Sequence, residues 1–162
     1  MTHTDHANIG LSSENMQKIS DILQKYLATE IALNLKIRNY HWNVEGMVFN
    51  DLHKFFEDLY NSWAEYADEV AERIRMLWIH THASMAEYIK MTIIPEEKKI
   101  SMPAEEMLKK LLADNETIIQ EMRKDIDLVW EMWDQWTEDF LTALIQKHEK
   151  DGWMIRSLVK NK

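Results

Sequence analysis

The 162-residue sequence predicts an all-α fold, a four-helix bundle with a long connection between its second and third long helices. Two observations lead there. Only three glycines and two prolines occur, so the chain is short of the residues that tight turns and hairpins require. Apolar residues also recur at three- and four-residue spacing over long stretches, the period of amphipathic helices. With 46% hydrophobic residues, a chain of this length forms one domain and can bury roughly 70% of its unfolded surface.

Residues 1–12 read as a polar tail. From Ser12, an expected N-cap, apolar positions recur at Met16, Ile19, Leu23, Leu27, Leu33, Ile37 and Tyr40, predicting a first helix over 13–41 that ends before Gly46. Leu52, Phe56, Leu59, Trp63, Val70, Ile74 and Leu77 predict a second over 49–78. The stretch 79–102 is less periodic and reads as a crossover with a short helix near Met85–Met91, of the length that often carries function. Ser101 and Pro103, followed by Glu105 and Glu106, mark a third long helix. No Gly or Pro separates Pro103 from Gly152, and one helix that long is improbable in a globular domain. A break near 134–137 is therefore expected, with Thr137 capping a fourth helix over 138–158. The bundle domain is placed at 13–158, and 159–162 form a C-terminal tail.

Cysteine is absent, which excludes disulfides, thiolate metal sites and a cysteine nucleophile. A net charge of −9 argues against a continuous basic face for nucleic acid. The first fifteen residues lack the pattern of a secretory signal, and no stretch approaches the ~20 apolar residues of a membrane span. The expected location is cytoplasmic, with no membrane partner.

The second helix carries His53 and Glu57 four residues apart, then Asp68 and Glu72 at the same spacing. Each pair points from consecutive turns and can chelate one ion. Glu57 and Asp68 are eleven residues apart, which gives an offset of about 20° around the helix but roughly 16 Å along it. One straight helix cannot bring both pairs to one metal. An antiparallel copy can, with a two-fold axis near Ser62 and Trp63, and such a pairing makes two equivalent sites. His41 adds a third donor if the hairpin folds it beside His53. Two imidazoles and three carboxylates suit iron, and the chain has no Glu-x-x-His for a di-iron site within one bundle. The same acidic residues also read as an ordinary solvated helix face, and spacing alone leaves that choice open.

The run His41-Trp42-Asn43-Val44-Glu45-Gly46-Met47-Val48-Phe49, then Leu52-His53-Lys54-Phe55-Phe56-Glu57, then Asp68-Glu69-Val70-Ala71-Glu72-Arg73-Ile74, resembles the signature of the Dps mini-ferritins. His148-Glu149-Lys150-Asp151-Gly152-Trp153-Met154-Ile155-Arg156 is similar to that family's closing helix. The resemblance implies a ferritin-like bundle assembled as a hollow homododecamer that oxidises Fe(II) with hydrogen peroxide or oxygen and stores the ferric mineral. It implies two irons per inter-subunit site, with His41, His53 and Glu57 from one chain and Asp68 and Glu72 from its two-fold neighbour. The family usually has aspartate where this chain has Glu57.

By the same resemblance, Trp42 is a candidate radical trap, and Asp134, Glu138 and Asp139 are candidates for an acidic three-fold pore that admits iron. The other six tryptophans are read as packing residues, His80 and His82 as loop residues, His3 and His6 as inert tail residues, and Glu65, Glu69 and Arg73 as surface or interface ion-pair formers. With no Lys or Arg in the first ten residues and only Lys160 and Lys162 at the C-terminus, DNA binding is expected to be weak or absent. The alternatives are a non-catalytic nucleoid or stress shell and a plain helical interaction module.

Overall fold

The computed structural model describes residues 7–159, and five helices account for most of them: α1 (Ser13–Asn43), α2 (Phe49–Met76), α3 (Met85–Met91), α4 (Ala104–Glu131) and α5 (Gln135–Leu158). No strand occurs among the described residues. The apolar faces anticipated from periodicity form one core. Ile19, Leu23, Ile37, Phe56, Trp63, Val70, Ile74, Leu111, Ile118, Val129, Leu141 and Ile155 are fully buried, and each such side chain stabilises the fold by ~1.5–3 kcal/mol.

Polar links between helices show their directions. Lys25 pairs with Asp125 and Lys36 with Asp114, each at 2.5 Å, so α1 and α4 run antiparallel. Trp63 Nε1 donates to Asp151 at 2.8 Å and Arg73 Nε to Thr137 Oγ1 at 2.8 Å, so α2 and α5 also run antiparallel. α1 and α2 form a hairpin across residues 44–48, and α4 and α5 form another across 132–134. The crossover at 77–103 joins the hairpins and lays α3 against α1.

The helix limits depart from expectation mainly at the ends. Ser12 caps α1, its hydroxyl accepting from the Asn15 N–H at 3.1 Å. Thr137 is not the cap of α5: the helix begins at Gln135, and the Asp134 carboxylate accepts from the Thr137 N–H at 3.1 Å. After α2 and α4 the chain reverses through Trp78 (φ 66°) and Trp133 (φ 64°). That left-handed conformation ordinarily falls to glycine, so the usual marker of a helix end was missing from the sequence.

Candidate metal centre

α1 ends and α2 begins across a five-residue turn, 44–48, in which Gly46 takes φ 109°. The tightness of that turn brings the last turn of α1 against the second turn of α2. His41 and His53 stack there with ring centroids 3.7 Å apart and planes 19° from parallel. Their backbones lock the arrangement. His41 Nδ1 lies 2.7 Å from the His53 carbonyl oxygen, and His53 Nδ1 lies 2.8 Å from the His41 carbonyl oxygen.

A carbonyl oxygen can only accept, so each Nδ1 must carry hydrogen and donate. In the neutral ring this leaves Nε2 as the lone-pair nitrogen, which is the tautomer a metal requires. The His41 carbonyl also belongs to the last turn of α1, where helix carbonyls lack a partner within the helix. One reciprocal contact therefore satisfies a helix end and orients two donor nitrogens. Phe49 covers His53 at 5.0 Å, and Tyr60 meets His41 edge-on at 5.2 Å. His41 is buried and His53 half-buried.

Glu57 lies one turn beyond His53, exposed, and accepts from the Tyr60 hydroxyl at 3.4 Å. Asp68 and Glu72 lie further along α2, exposed and without an ion pair or side-chain hydrogen bond among the described residues. Within a single chain no three His, Asp or Glu side chains among the described residues close around one point. The structure thus brings His41 and His53 together, sets Glu57 one helical turn beyond His53 with its carboxylate 3.4 Å from the Tyr60 hydroxyl, and places Asp68 and Glu72 elsewhere on the same helix.

The remaining candidates separate by burial. Asp134 is buried and committed, 2.7 Å from Arg73 and accepting from Thr137 Oγ1 and its N–H. Glu138 is half-buried and Asp139 exposed. Arg73 is not a surface ion-pair former: it is buried between Asp134 and Thr137, with Trp136 4.2 Å from its guanidinium carbon. Glu69 does pair at the surface, with Lys147 at 2.5 Å. Trp42 is exposed and makes no ring contact with either histidine. Of the other six tryptophans only Trp63 is buried within the chain; Trp78, Trp130, Trp133, Trp136 and Trp153 are exposed. Lone positions cannot reveal this, because a tryptophan satisfies an apolar periodicity whether or not a neighbour covers it. His80 and His82 lie in the crossover and bind Gln24 through backbone atoms, at 3.0 and 3.2 Å. His3, His6, Lys160 and Lys162 fall outside the described residues.

Tyr60 was not singled out by spacing, although its place three residues after Glu57 on the same helical face is a readable signal. The inner network of Glu30, His148 and Asn115 joins three helices and has no spacing signature.

Residues 20–162 match the ferritin-like domain family. The chain is 35% identical over 154 residues to an uncharacterized low temperature-induced protein of Nostoc, covering 94% of this chain and 86% of that one. It is 32% identical over 143 residues to DNA protection during starvation protein 2 of Bacillus anthracis, covering 88% and 97%. Among solved structures, the Dps protein of Vibrio cholerae O1, described as one of the ferritin-like diiron-carboxylate proteins, superposes with a TM-score of 0.89 at 28% identity, covering 99% and 100%. With the fold and these matches taken together, the chain belongs to the Dps family of ferritin-like proteins.

Proposed function

We propose that this protein oxidises and stores iron, protecting its cell from oxidative damage. Fe(II) is the substrate, bound where two chains meet antiparallel along α2. His41, His53 and Glu57 of one chain face Asp68 and Glu72 of the other, so each pair of chains holds two sites of two irons. The observation that carries this reading is the reciprocal bonding of the two histidines, which presents both Nε2 lone pairs from a rigid stack.

The residues supply geometry and charge. Neutral imidazoles bind Fe(II), and carboxylates favour the harder Fe(III), so the mixed set stabilises the product of oxidation. Two Fe(II) each give one electron to one hydrogen peroxide, which with two protons becomes two waters. Pairing the electrons avoids release of hydroxyl radical. Trp42, exposed beside His41, is positioned to intercept stray oxidant. The ferric product is stored in a hollow homododecamer, and Glu138 and Asp139 supply carboxylates for iron entering at the three-fold axes. Asp134 contributes there by holding the turn through Arg73. The net charge of −9 makes DNA a poor partner, and the protein is assigned to the cytoplasm.

The test replaces Glu72 with Ala. The parent is expected to show a rapid peroxide-dependent rise in ferric absorbance and the variant to lose it. An inactive parent, or a variant as fast as the parent, would point instead to a non-catalytic stress shell. Light scattering near twelve chains separates both from a lone bundle.

A further inference from the structure

Tyr60 is the side chain that connects the imidazole pair to Glu57. Its hydroxyl donates to Glu57 Oε1 at 3.4 Å, while its ring meets His41 edge-on at 5.2 Å. Two further residues of α1, Arg38 and Asn34, hold Tyr60 in place. The Arg38 guanidinium carbon lies 4.0 Å from the ring centre, Arg38 Nε donates to Asn34 Oδ1 at 3.0 Å, and Asn34 Nδ2 donates to the Tyr60 carbonyl. The phenol is thus held by one helix while it holds a carboxylate on the next.

Glu57 has no ion pair among the described residues. An exposed glutamate has one more rotatable bond than aspartate, and ordering it on a metal costs correspondingly more side-chain entropy. A hydroxyl 3.4 Å from Oε1 favours the rotamers that keep the carboxylate beside Tyr60, and Oε2 makes no hydrogen bond among the described residues.

We propose that Tyr60 is a positioning residue for divalent-cation binding: its hydroxyl keeps the Glu57 carboxylate on the imidazole side, so that the longer arm serves as the third donor. The proposal rests on the metal-centre reading above, and its test separates the two.

The assembled protein is titrated with Co(II), a redox-stable stand-in for Fe(II), and binding is followed by the d–d absorption of the bound ion. Tyr60→Phe keeps the ring, and so its contacts with His41 and Arg38, while removing the hydroxyl. Affinity is expected to fall about 10-fold, the lower end of the range for residues that orient a ligand, with the thermal midpoint unchanged. In a Glu57→Ala background Tyr60→Phe is expected to have no further effect, because there is no carboxylate left to position. Unchanged Co(II) affinity in Tyr60→Phe, or an equal loss in both backgrounds, overturns the role of Tyr60 while the metal centre stands. A parent that fails to bind Co(II), or binds it equally after His41→Ala, overturns both.

Discussion

Glu30 of α1 and His148 of α5 meet at 2.8 Å, Oε1 to Nε2, with neither side chain exposed. Asn115 of α4 completes the arrangement. Its Nδ2 donates to the His148 carbonyl at 2.8 Å, which turns its Oδ1 toward the ring to accept from Nδ1 at 2.9 Å. His148 therefore spends one nitrogen on α4 and the other on α1, and three helices are fastened at one buried point. Glu30 Oε2 is left without a hydrogen-bond partner among the described residues. Glu30→Ala removes one member of a fully buried pair and leaves His148 Nε2 without its partner, and should destabilise the protein by at least ~1–3 kcal/mol. Urea unfolding measures it; a loss under ~1 kcal/mol would mean that the pair does little for the fold.

Gly152 makes room for that network. A Cβ at this position would lie 2.7 Å from Asn115 Nδ2, and the amide cannot retreat without giving up its bond to the His148 carbonyl. Gly152→Ala should therefore destabilise by ~1–3 kcal/mol despite alanine's better helix propensity, since overpacking outweighs the ~1 kcal/mol gained. In an Asn115→Ala background the penalty should largely vanish. A stabilised single variant would show that the amide yields easily.

Asp151 lies on the same helix beside Trp63 and Tyr66, and burial pushes its carboxyl above the usual carboxylate range despite the hydrogen bond from Trp63. A carboxyl whose folded pKa is raised binds its proton more tightly in the native state, so it favours folding below the unfolded value and loses that contribution as pH rises through the folded value. Asp151→Asn keeps an oxygen to accept from Trp63 but cannot titrate. The stability of the parent relative to D151N should be greatest in acid and decline as pH rises through this window. Parallel stability curves for the two proteins across that range would contradict the sign.

The turn between α4 and α5 offers a test of backbone strain. Trp133 is exposed and takes φ 64°, a conformation that costs a non-glycine residue ~1–2 kcal/mol. Glycine there loses ~0.5–1 kcal/mol in unfolded-state entropy, so W133G should be neutral or stabilise by up to ~1 kcal/mol in chemical denaturation. A clear loss would show that the indole contributes contacts, as it would if a neighbouring chain covers it.

Much of this molecule was legible in its sequence. The core helices declared themselves through period, and Ser12 and Met85–Met91 lie where the local pattern placed them. The α4–α5 break falls at 132–134, close to the expected 134–137, but its exact place was not legible, because both the left-handed residue and its neighbours are ordinary helix-compatible types and the capping group is Asp134 rather than Thr137. The proximity of His41 to His53 was readable only as a condition on the hairpin, and the turn at Gly46 fulfils it. Arg73 illustrates the opposite case. A charged residue amid an acidic helix reads as solvated, yet it is buried because Asp134 and Thr137, sixty residues on, offer it partners that no local spacing encodes.

Iron is proposed to bind along the seam between two antiparallel α2 helices. Anomalous diffraction at the iron edge, on crystals soaked anaerobically with Fe(II), locates the ion. Paired anomalous peaks are expected, bracketed by His41, His53 and Glu57 of one chain and by Asp68 and Glu72 of its two-fold neighbour. Iron confined to other positions, or no peak along that seam in crystals that contain the two-fold pair, would contradict it.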